Sequence, residues 1–136
     1  MTADETLAEL RSHASPKNVE GMARYGIAST NTLGVNIPTL RAIAKRAGRD
    51  HALAEQLWQS GIHEARILAA MVDDPSKVTK RQMDRWAKDF DSWDVVDGVC
   101  DLFVKTPYAY EKAHAWSSHQ KEYVKRAAFT MIAYLA

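Results

Sequence analysis

At 136 residues and 15.3 kDa, with 46% hydrophobic and 26% charged residues, the chain suits one globular domain or part of one, and its apolar content argues against disorder. Eighteen basic and seventeen acidic residues leave a net charge of +1 and a pI near 7.9, which excludes a uniformly basic nucleic-acid wrapper but not a local basic face. No apolar run is long enough to span a bilayer, MTADETLAELRSHAS lacks the apolar core of a signal peptide, and the lone Cys100 suits a reducing compartment, so a cytoplasmic location is expected.

No segment alternates as a strand does; apolar residues recur at helical spacing between regular breaks. Thr2 caps a helix to about His13, with Glu5 placed for a capping box. Pro16 starts a second helix with Val19, Met22, Ala23 and Ile27 on one side, and a polar loop follows from Ser29 to Asn36. Pro38 opens a third, with Leu40, Ile43, Ala44 and Ala47 apolar and Gly48 at its end. Asp50 caps a fourth through Leu53, Leu57 and Trp58, ended by Ser60-Gly61. Ile62 to Val72 is helical, burying Ile67, Leu68, Ala70 and Met71, until Asp73-Asp74-Pro75 breaks it. After Thr79 a helix carries Met83, Trp86, Ala87 and Phe90 on one stripe; helices then run from Trp93 to Val104, Pro107 to Trp116 and Glu122 to Leu135. The expected class is all-α, in roughly nine short helices.

Two-helix units recur. LWQSGIHEARILAAM, DFDSWDVVDGVCDLF and WSSHQKEYVKRAAFTM superimpose with Arg66, Asp97 and Arg126 in register, spaced 31 and 29 residues apart. A period near thirty with paired helices predicts a right-handed α-solenoid of antiparallel HEAT-like pairs. Arg66, Asp97 and Arg126 then form a row on one surface. The apolar ending Met131 to Ala136 lacks the polar cap of a terminal repeat, so residues 1–136 read as one helical-repeat domain from the N-terminal part of a longer one.

The chemistry concentrates between Asp89 and Asp101, where five acids surround Trp93. Trp93 and Asp97 are four apart, adjacent on a helix face. Asp94 fits the positive end of the helix, but Asp97 lies a turn further in and needs water or a partner. The plainer alternative is an ion pair from Asp97 to Arg126 or Arg66. Basic residues gather in three groups: Arg41, Lys45, Arg46 and Arg49; Lys77, Lys80, Arg81, Arg85 and Lys88; and Lys121, Lys125 and Arg126. Such groups suit a phosphate backbone, with Tyr25, Trp93 and Trp116 near enough to pack on sugar or bases, whereas Trp58 and Trp86 are expected in the core. His63-Glu64 lacks the second histidine of a zinc site, since Ile67 stands there, and no metal or cofactor is expected.

The segments EGMARYGI (20–27), LGVNIPTLRAIAK (33–45), SWDVVD (92–97) and EYVKRAAF (122–129) resemble the HEAT-like-repeat DNA glycosylases of the AlkD type. The resemblance runs from about Pro16 to the end. It implies a monomeric enzyme that hydrolyses the N-glycosidic bond of cationic N3- and N7-alkylpurines in double-stranded DNA. By it, Trp93 and Asp97 are the catalytic pair facing the lesion, Arg126 contacts phosphate beside them, and Tyr25 is an aromatic near the DNA; Lys125 and Arg66 are expected as further DNA contacts. A second active-site tryptophan of the family has no counterpart here. The alternative is a non-catalytic helical-repeat module that binds DNA or protein, in which Asp97 is merely paired with arginine.

Overall fold

Capping side chains set most of the helix boundaries. The computed structural model of the protein describes residues 1–27 and 31–136; Ser29, where the predicted polar loop begins, lies outside them. The helices are α1 (Ala3–Ser12), α2 (Pro16–Arg24), α3 (Ile37–Ala47), α4 (His51–Gln59), α5 (His63–Val72), α6 (Lys80–Lys88), α7 (Trp93–Phe103), α8 (Ala109–Trp116) and α9 (Glu122–Leu135), with a 3-10 turn at Pro75–Lys77. Among the described residues there is no strand. Thr2, Ser15, Asn36, Asp50 and Thr79 each accept a hydrogen bond from the backbone N–H three residues on, at 2.9–3.3 Å, which satisfies one orphan donor of each helix. Gly48 ends α3, as the sequence predicts, with φ 71°.

Two compact units divide the chain, Met1–Asp74 and Pro75–Ala136. In the first, α5 is the central element: α3 and α4 pack against it, and α1 packs on both α4 and α5. Leu10, Leu40, Ile43, Leu57 and Leu68 are essentially inaccessible at their shared core. Two expectations fail here. Of the apolar side expected for α2 only Ile27, beyond the helix end, is buried; Val19 and Met22 are half-buried and Ala23 is exposed. Polar bonds to the following loop anchor α2 instead: Ser15 N–H donates to Leu33 O at 2.8 Å and the Asn18 amide to Gly34 O at 2.9 Å. Met71 is half-buried, while Val72 beside it fills the core.

In the second unit, α9 packs against both α7 and α8. Phe103 lies between Trp86 and Trp116, with ring centroids 6.1 and 6.3 Å away. At about 25 cal/mol per Å², burying rings of this size contributes roughly 4–6 kcal/mol each before entropy is counted. Trp116 is therefore a core residue, which corrects the expectation that it packs on sugar or bases; Trp58 and Trp86 are core, as predicted. Cys100 is buried on α7, its thiol directed to the Ala127 carbonyl of α9 at 3.5 Å.

Candidate functional site

The first turn of α7 decides which of its acids are available. Asp94 Oδ1 accepts from the Ser92 hydroxyl at 2.5 Å and from the Val95 N–H at 2.9 Å, so this acid is engaged with the start of the helix. Val95, Val96, Val99, Cys100, Leu102 and Phe103 form the buried face. That face leaves Trp93 and Asp97 half-buried at its border and Asp101 exposed, where it pairs with Lys105 at 3.5 Å.

Helix α9 lies against this border and brings Arg126 to it. The guanidinium donates from Nε to Asp97 Oδ1 at 3.2 Å and from Nη2 to Asp97 Oδ2 at 3.1 Å. Its carbon also sits 5.9 Å from the Trp93 ring centroid, within cation–π range. The hydrogen bond that Arg126 donates to Asp97 is the main reason the Arg126 pKa lies above its ordinary value. The Asp97 side chain is 31% exposed and that of Arg126 45%. An ion pair at such exposure contributes about 0.2–1 kcal/mol and exchanges readily with a competing anion or cation. The plainer expectation, an Asp97–Arg126 pair, is thus met in geometry, but the pair stands at the surface. Lys125, next to Arg126, is exposed.

Tyr25 and Arg66 belong to the first unit. Tyr25 caps the C-terminus of α2 and is 78% exposed. Arg66 is half-buried; its Nε donates to the Trp58 carbonyl at 3.3 Å and its guanidinium lies 5.0 Å from the Trp58 ring centroid, tying α5 to the end of α4.

Two residues near functional interest escaped the sequence reading. Tyr134 follows Arg126 by two steps of four along α9 and is exposed; desolvation first, then the charge of Asp97, holds its hydroxyl above the ordinary 10.0. Glu64, set aside as half of a missing metal motif, is fully buried and organises the loop before α3. Its Oε1 accepts from Leu33 N–H at 2.9 Å and its Oε2 from Gly34 and Val35 N–H at 2.7 and 3.0 Å.

Sequence comparison matches residues 6–136 to the DNA alkylation repair enzyme family. The chain belongs to this family. One solved structure, described as from a new family of proteins related to the HEAT-like repeat DNA glycosylases with affinity for branched DNA structures, superimposes with a TM-score of 0.89 at 21% identity over 99% of the present chain. The present member of the family therefore has the HEAT-like helical-repeat fold predicted from its two-helix units. It spans 57% of that relative's length. No curated protein matches its sequence significantly. None of its described helices is long and apolar enough to cross a membrane.

Proposed function

We propose that this member of the DNA alkylation repair family takes part in excising cationic N3- and N7-alkylpurines from duplex DNA, as a glycosylase with Asp97 and Trp93 as catalytic residues and Arg126 as phosphate ligand. The observation that carries the reading is the single guanidinium joining Asp97 and Trp93 on a solvent-open surface. A DNA phosphate is a strong bidentate acceptor for arginine. Transfer of Arg126 from Asp97 to phosphate leaves the carboxylate beside the bound sugar, at the cost of only a weak exposed pair.

The chemistry asks little more of the protein. A purine alkylated at N3 or N7 already carries positive charge, so it departs as a neutral base when the electrons of the glycosidic bond leave with it. Water adds to C1′, and its proton passes to Asp97 or to solvent. Asp97 stabilises the oxocarbenium-like sugar, and the face of Trp93 packs on the deoxyribose as its positive charge develops. Lys125 adds a phosphate contact next to Arg126; Tyr25 and Arg66 are proposed as further contacts, the latter only if it leaves the Trp58 ring.

The second reading is a non-catalytic DNA-binding module, favoured by the two hydrogen bonds that already engage Asp97 and by the branched-DNA affinity of the structural relative. Release of 7-methylguanine from alkylated duplex DNA decides between them, measured together with DNA affinity. Catalysis requires release by the protein and its loss in Asp97→Asn, with affinity equal or higher because a carboxylate no longer faces the phosphates. Binding without release by either protein sinks the glycosylase and leaves the binding module.

A further inference from the structure

Helix α6 sorts its side chains into three directions. Gln82, Met83, Trp86 and Ala87 are buried, with Trp86 against Phe103 of α7. Lys80 and Asp84 turn to α8, where Lys80 Nζ meets Glu111 at 2.8 Å and Asp84 holds Lys112 Nζ at 2.9 and 3.0 Å. The remaining residues, Arg81, Arg85 and Lys88, recur at i, i+4 and i+7 directly opposite the buried face, and Lys77 precedes Arg81 by four in the 3-10 turn. All four are exposed.

The cross-helix pairs explain why this face is so strongly positive. The one acid within α6 is Asp84, and Lys112 already answers its charge. The next acid is Asp89, at the C-cap. Among the described residues, Lys77, Arg81 and Lys88 make no ion pair, although the whole chain is nearly neutral. A molecule with a net charge of +1 therefore concentrates three such cations, Lys77, Arg81 and Lys88, on one stripe. From Arg81 to Lys88 the helix rises roughly 10 Å, about three of the steps of about 3.4 Å that separate successive phosphates of one strand along the duplex axis.

We infer that this outward stripe of α6 is a second DNA-contact surface, one that binds the phosphate backbone of duplex DNA without reading sequence. It lies on the side of α6 opposite Trp86, which packs on Phe103 of α7, and shares no residue with the Asp97–Arg126–Trp93 cluster. The inference rests on the reading that the protein binds DNA, not on the reading that it excises bases. Flexible cations on an exposed helix face neutralise phosphates by releasing counterions, and each neutralised phosphate adds about 0.9 to the slope of log affinity against log salt.

The test is fluorescence anisotropy of a labelled undamaged duplex between 50 and 200 mM NaCl. It compares the unmodified protein, the triple variant Lys77→Gln, Arg81→Gln, Lys88→Gln, and the charge-preserving triple variant Lys77→Arg, Arg81→Lys, Lys88→Arg. Three lost phosphate contacts lower the slope by about 2.7, so the affinity of the glutamine variant falls about 40-fold less across this salt range. The charge-preserving variant retains the original slope. Equal slopes in all three proteins overturn the inference and make the stripe an ordinary solvated face. Asp97→Asn, assayed alongside for 7-methylguanine release and salt slope, separates the two proposals. Release that depends on Asp97 beside equal slopes in the triple variants sinks the stripe alone. A reduced slope in the glutamine variant without release by any protein sinks the glycosylase alone.

Discussion

Asp97 and Arg126 stand 29 residues apart in the chain and are joined by two hydrogen bonds at a border where neither is deeply buried. Arg126→Ala is accordingly expected to change stability by less than about 1 kcal/mol in urea denaturation, yet to weaken DNA binding clearly in the same anisotropy assay. Glu64 is the opposite case, a fully buried carboxylate that accepts three backbone N–H groups. Each buried donor left orphaned costs about 1–3 kcal/mol, so Glu64→Ala is expected to lower stability by at least about 2 kcal/mol, seen as a reduced urea midpoint. Cys100 tests burial through pH. Desolvation, followed by the charge of Asp97, pushes its thiol well above the ordinary 9.0. Stability conferred by the neutral thiol is fully present below pH 9 and is lost as pH rises from there toward the folded value, because unfolded thiols ionise first. Between pH 9 and 11 the stability of the unmodified protein should therefore fall more steeply than that of Cys100→Ala, by up to about 1.4 kcal/mol per pH unit.

Elements whose ends are written in local chemistry were legible residue by residue. Thr2 and Asp50 are caps as expected, Gly48 closes α3, and the stripe Met83, Trp86, Ala87, Phe90 is buried. What local patterning misjudged is which apolar side finds a partner. Val19, Met22 and Ala23 have the spacing of a core stripe, but α2 is held through Ser15 and Asn18 to the loop at 33–34. That loop is shaped by a close approach that no periodicity reports. Gly34 has φ 85°, and a Cβ there would lie 2.2 Å from the Ser15 carbonyl oxygen. Gly34→Ala is expected to cost well over 1 kcal/mol in the same denaturation assay, through both the strained backbone and the displaced carbonyl.

For the molecule as a whole, near-neutral charge places any DNA affinity in local clusters, and this is why the salt slope, rather than the bare affinity, discriminates among the readings. Sequence alone determined the all-α class, the positions of the helices and the two-helix repeat, because caps, breakers and apolar spacing act over a few residues. It also singled out Trp93, Asp97 and Arg126, through the SWDVVD and KRAA segments and their place in the repeat. Only the tertiary structure decided how these residues meet. The packing of α9 on α7 set Arg126 against both Asp97 and Trp93 and left that pair at the surface. The same packing enclosed Trp116, and the fold around α5 drew Glu64 into the core as a clamp for the loop at 33–35. Burial and pairing are properties of side chains from segments about thirty residues apart, and one helix's periodicity cannot specify the neighbour that its border residues will touch.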